Sequence, residues 1–160
     1  MTLAQRLAAF AASLSFEDIP DDVVASVRLR TLDVLGIALA SSRGDWAPAV
    51  LDLAGSGGGE CTVVGTARMA PLPLAILVNG TLAHGLDYDD THAASITHAS
   101  AVIVPTVLAM AEARELDGRT ATTAAVIALR PSRSRASATP STVGTITAEA
   151  CVIEAACVSS

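Results

Sequence analysis

Apolar and polar positions alternate with a helical rhythm along most of this chain. Leu3, Leu7, Phe10 and Leu14 recur at three- and four-residue steps, which predicts an amphipathic first helix over Leu3 to about Ser13. Ser15 to Pro20 breaks that pattern, and Pro20-Asp21-Asp22 reads as a new helix start. Proline suits a first helical turn, and the two carboxylates complement the positive end of the helix dipole. From there Val24, Val27, Thr31, Val34, Leu35, Ala38 and Leu39 keep the period, so a long helix runs to about Ser42 with Gly44 past its end. A third helix spans about Ala47 to Ala54 and stops at Gly55-Ser56-Gly57-Gly58-Gly59, after which Cys61 to Val64 reads as a short extended segment. Pro71 to about Tyr88 reads as a helix with Leu72, Ile76, Leu77, Leu82 and Leu86 inward, and Asn79-Gly80 within it lets a neighbour pack closely. Pro105 to Leu116 forms another helix, closed by Asp117-Gly118, and Thr120 to Leu129 begins the next. The expected fold is all-α, a bundle-like helical domain with one short extended segment.

Composition supports that class and removes several functions. The chain has 160 residues, 51% of them hydrophobic and only 2% aromatic, so helix packing on Ala, Val, Leu and Ile is favoured over a β-sandwich. All ten basic residues are Arg. Without Lys there is no phosphate-loop lysine and no Schiff base, and the glycine cluster lacks a preceding strand and a following helix, so it reads as a flexible turn. A net charge of −6 with no basic stripe argues against nucleic acid. Mean hydropathy is +0.52, yet the longest stretch free of ionic residues, Thr91 to Ala111, holds two histidines and a central Pro105, a poor membrane span. A soluble, cytoplasmic protein without membrane contact is expected. Cys61, Cys151 and Cys157 form no CxxC pair, so neither a disulfide framework nor zinc is indicated. After Leu129 the character changes: sixteen of the thirty residues from Pro131 to Ser160 are Ala, Ser or Thr, and no apolar period survives. That stretch is either a flexible polar tail or not the natural continuation of the fold.

The chemistry gathers in one place. His84, His92 and His98, all the histidines of the chain, fall within fifteen residues, together with Asp87, Asp89, Asp90 and the single Tyr88. If the helix continues to Tyr88, then His84, Asp87 and Tyr88 share one face, and Asp89 and Asp90 sit at the unfavourable negative end of the dipole. Three readings stand side by side: a general acid/base site built on His with Asp to orient it, a metal site using His84, Asp87 and His92 or His98, and a solvated acidic loop whose histidines cap neighbouring helices. No regular metal-binding spacing is present.

The run Val78-Asn79-Gly80-Thr81-Leu82-Ala83-His84-Gly85-Leu86-Asp87-Tyr88-Asp89-Asp90-Thr91-His92, followed by His98-Ala99-Ser100 and Pro105, resembles the N-terminal signature of the MmgE/PrpD family. Upstream, Asp33-Val34-Leu35-Gly36 and Thr62-Val63-Val64-Gly65 match family segments, and the resemblance covers roughly residues 1–129. It implies the N-terminal part of a helical domain and a cofactor-free, metal-free lyase acting on a small carboxylic acid, in the manner of 2-methylcitrate dehydratase in propionate catabolism. It further implies a cytoplasmic homodimer. Asp87 and His98 would be catalytic, with Thr91, Asp90 and His84 binding substrate. The step from Thr91 to His98 is one residue longer than in the decarboxylase branch. In the family a further catalytic His, lysines and a Tyr come from beyond the equivalent of residue 130, whereas this chain has no Lys, no His after His98, and Arg130-Pro131-Ser132-Arg133 where relatives carry a Gly-Tyr-Glu-like segment. The expectation is therefore a lyase fragment over 1–129, inactive alone, with a truncated or frame-shifted and poorly ordered tail over 130–160. The alternatives are a non-catalytic helical interaction module and a decarboxylase or epimerase of the same family.

Overall fold

Thr2 sets the first boundary. Its hydroxyl accepts the Gln5 backbone N–H at 3.2 Å while the Gln5 amide oxygen accepts the Thr2 N–H at 2.9 Å, a reciprocal cap that starts helix α1 (Leu3–Ser13). The computed structural model describes residues 2–92 and 96–134. A single 3-10 turn at Phe16–Asp18 follows, where the Ser15 hydroxyl and then the Ser15 N–H donate to Asp18 and hold its carboxyl below the usual range. Pro20 then opens α2 (Asp21–Ser41), with Asp21 and Asp22 in the first turn as the sequence predicts. Next come α3 (Ala47–Leu51), a 3-10 turn to Ala54, β1 (Cys61–Thr62), β2 (Met69–Ala70), α4 (Leu72–His84), α5 (Ala99–Ala113) and α6 (Gly118–Ser134). From residue 135 on, the expected tail lies outside the described residues. No helix among the described residues is long and apolar enough to cross a membrane.

The fold is mostly helical, as expected, with three differences from the sequence reading. The extended segment has a partner: β1 pairs antiparallel with β2 in the register Cys61–Ala70 and Thr62–Met69. On the other side a helix completes it, because Asn79 of α4 accepts the Val64 N–H at 2.9 Å and donates to the Thr62 carbonyl at 2.8 Å. Second, α5 begins at Ala99 and carries Pro105 inside it. An internal proline removes one helical hydrogen bond, and burial of Ala101, Ile103 and Val104, each no more than 3% exposed, offsets that cost. Third, α4 ends at His84, and its inward face is Ala75, Val78, Asn79, Leu82 and Ala83. Leu82 is inward as expected, but Leu77 and Leu86 are exposed at 52% and 40%. α5 lies close to this helix: a Cβ on Gly80 would sit 3.6 Å from the Ala101 carbonyl oxygen.

Three apolar clusters form around these helices. One joins Ala38, Cys61, Val63, Val78 and Leu82 between α2, the hairpin and α4, and another joins Val27, Ile103, Val107, Met110 and Ala128 between α2, α5 and α6. A third gathers Val34, Ala83, Ala101 and Val104 from α2, α4 and α5. Outside, Leu29, Leu32 and Leu39 of α2 remain exposed, at 68%, 70% and 50%, as does Val102 of α5 at 52%. Large apolar side chains left in water favour association. Sedimentation velocity is expected to show a mean mass that rises with protein concentration. A compact monomer at all concentrations, melting in one sharp transition, would contradict this.

Candidate functional site

The site is assembled where α4 stops. Gly85 follows His84, and the place a Cβ would occupy there is filled by the Trp46 ring, 2.2 Å away. The Asp87 N–H donates to the His84 carbonyl at 2.9 Å, and Asp87 takes a left-handed φ of 54°, a conformation that Asp tolerates better than most residues. The expected shared helical face of His84, Asp87 and Tyr88 therefore does not form, and Tyr88 is 82% exposed. Asp89 stays at the end of α4, against its last residue His84, whereas Asp90 is engaged by Arg30 of α2 and by Ser100.

Asp89 turns inward instead. Its side chain has no exposed surface, and its oxygens lie 2.9 and 3.1 Å from His84 Nδ1 and 3.1 Å from His98 Nδ1. The two imidazoles meet edge to face with centroids 5.0 Å apart. A buried carboxylate is costly unless paired and hydrogen-bonded, and here one carboxylate is served by two rings. His98 arrives from a small loop closed by the His92 N–H donating to the Thr97 carbonyl at 2.9 Å, immediately before α5.

Asp90 is held differently. It pairs with Arg30 of α2 and accepts the Ser100 N–H at 3.0 Å, while Arg30 also donates to the Ser100 hydroxyl at 3.1 Å. A carboxylate at the first turn of α5 satisfies a free N–H and complements the dipole there. Asp90 thus ties α2 to the start of α5.

Of the residues singled out from sequence, the fold brings His84, Asp87 and His98 together around Asp89. One nitrogen or oxygen from each of these four lies within 4.8 Å of the others. Thr91 is exposed beside this group, Asp90 is committed to Arg30 and Ser100, and His92 lies outside the four. Sequence reasoning left Asp89 out of the site and missed Arg30 and Trp46. Asp89 stood in plain view within the acidic run, whereas Arg30 and Trp46 belong to α2 and the segment before α3 and join only through the fold. The four donors are a mixed nitrogen–oxygen set of the type that holds a divalent cation. Such a cation would compete with protons for the ring nitrogens that face Asp89.

Among the described residues, two cavities lie away from this site. Cavities of about 300 and 660 Å³ flank α2 and α5, but they are walled mainly by apolar side chains such as Leu35, Val104 and Leu108 and contain none of the four site residues. Cys61 is fully buried, its thiol 3.3 Å from the Ala109 carbonyl, and burial, then Glu60 and Glu112, push its pKa up. That is a core thiol and not a nucleophile.

Comparison with known proteins adds the following. The sequence profile of the MmgE/PrpD N-terminal domain matches residues 5–157. The cis-aconitate decarboxylase of Aspergillus terreus is 26% identical over 113 residues, which cover 69% of this chain and 23% of that protein. The cis-aconitate decarboxylase-like protein oryM of Aspergillus oryzae is 31% identical over 99 residues, covering 59% of this chain and 20% of that protein. The matched part thus spans less than a quarter of either relative. No solved structure matches the chain significantly.

Proposed function

Because the chain belongs to the MmgE/PrpD family, we propose that it carries part of the active site of a lyase for a small polycarboxylic acid, with His98 as the acid/base group. The observation that supports this most is the buried Asp89 bound to both His84 and His98 beside Asp87. An imidazole titrates near neutrality and a neighbouring carboxylate orients it, which is what proton transfer next to a substrate carboxylate requires.

Two reactions fit such a group. Dehydration of 2-methylcitrate, expected from the resemblance, needs a base to take the proton beside a carboxylate and an acid to protonate the departing hydroxide. Decarboxylation of cis-aconitate needs one proton, taken up by the carbon skeleton in place of the departing CO₂. The names of the matched relatives favour the second. In either case the enzyme would be a cofactor-free homodimer of the cytoplasm, as the resemblance implies, and the further His, Lys and Tyr of the family would come from outside residues 1–129. A non-catalytic helical module is the reading left if no turnover can be found.

The purified chain, and a protein extending it with the family's remaining segment, are assayed in parallel. Release of CO₂ from cis-aconitate and formation of the unsaturated product from 2-methylcitrate are followed. Turnover is expected from the extended protein and not from residues 1–160 alone. Turnover by the chain alone at the rate of a full-length relative would show that it already holds every essential group. Silence of the extended protein on both acids would sink the lyase reading.

A further inference from the structure

We infer that Asp89 is a positioning residue that fixes both His84 and His98 as Nδ1–H tautomers, leaving Nε2 as the atom through which each ring gives or takes a proton. An ionised carboxylate only accepts hydrogen bonds. With its side chain fully buried and Nδ1 atoms of two rings at 2.9–3.1 Å, each contact is satisfied only if the ring donates from Nδ1. A free imidazole favours the opposite form, with the proton on Nε2, so the fold imposes the less common state on two side chains at once. The hydrogen bond made at one ring nitrogen decides what the other nitrogen can do.

This goes beyond the assignment of His98 as acid/base group. His84, expected only to bind substrate, receives the same tautomer from the same carboxylate, and the ring centroids are 5.0 Å apart. The site therefore holds two equivalent proton-accepting nitrogens within the chain itself. Their significance for turnover rests on the lyase reading, but the tautomers themselves do not.

Long-range ¹H–¹⁵N NMR of the histidine rings in the whole chain reads the tautomers directly. The measurement is made on the alkaline plateau, where the ring shifts no longer change with pH. The expected spectrum has His84 and His98 both protonated at Nδ1. In Asp89→Asn the amide offers one accepting oxygen and a donating NH₂, so one ring keeps Nδ1–H and the other switches to Nε2–H. A merely structural role for Asp89 would not move one ring alone. Nε2–H on both His84 and His98 in the unsubstituted chain would overturn the inference, and an unfolded chain would give that same result. Retention of Nδ1–H on both rings in Asp89→Asn would also overturn it. If Asp89→Asn fails to fold, the unsubstituted spectrum still decides. A catalytically silent protein with both Nδ1–H tautomers in place would refute the lyase reading and leave the positioning role standing.

Discussion

In an extended, active form of the protein, replacing His98 by alanine lowers turnover by about 10²–10⁴-fold, the usual cost of losing a general acid or base. His92→Ala leaves turnover near normal and acts chiefly on thermal stability, because His92 lies outside the group formed by His84, Asp87, Asp89 and His98. His98 also partners a buried carboxylate, so His98→Ala lowers the melting temperature as well. His98→Asn separates the two effects: its amide can still donate to Asp89, yet it cannot carry a proton to or from substrate. Asp87→Asn is the companion test. Asn accepts the left-handed φ of 54° as readily as Asp, so a large loss of rate at unchanged melting temperature would assign Asp87 an electrostatic role. If His92→Ala abolished turnover and His98→Ala did not, the family register would be misplaced. If neither mattered, the histidines would be loop residues that cap their neighbours.

The largest effect on stability is expected far from the histidines, at Gly59. A Cβ there would lie 2.0 Å from the Ala70 carbonyl carbon and 2.3 Å from the Pro71 nitrogen, both backbone atoms at the junction of β2 and α4. No side chain can move aside to admit it. Gly59→Ala is expected to cost about 2–4 kcal/mol, seen as a lower urea midpoint at unchanged slope. Gly58→Ala is the control. Its φ is +114° but nothing lies within 4 Å of the added atom, so only backbone strain applies, on the order of 1 kcal/mol. Equal losses at the two positions would mean that the glycine turn serves by its backbone angles alone.

These two glycines mark where the sequence could be read and where it could not. The periodicity places α1 and α2 within a residue of their observed bounds, because a local cap at Thr2 and the Pro20-Asp21-Asp22 start carry the signal. The glycine turn is equally legible as a turn, yet the contact of Gly59 with the Ala70–Pro71 backbone is not, since it depends on a segment eleven residues away. The end of α4 is misread for the same reason. Leu86 continues the apolar rhythm, and the Trp46 ring that meets Gly85 comes from the far side of α3 and the hairpin. Pro105 looks like a helix start from its neighbours alone, and only the burial of Ala101 and Val104 against Val34 of α2 and Ala83 of α4 lets the helix run through it. At the site, residue types and spacing bring out the cluster of histidines and aspartates from His84 to His98, and the family resemblance singles out His84, Asp87 and His98 within it. They say nothing of which aspartate in Asp87-Tyr88-Asp89-Asp90 turns inward, because a one-residue shift in the turn after His84 would exchange Asp89 for its neighbour.

The sharing of Asp89 also shapes what inheritance can do to this site. Two histidines depend on one carboxylate, while the carboxylate depends on each histidine only in part. Drift at codon 84 leaves the contact between Asp89 and His98 in place, and drift at codon 98 leaves the contact with His84. Drift at codon 89 removes the anchor of both rings in a single step. A change at codon 89 therefore removes more of this arrangement's contacts than a change at either histidine.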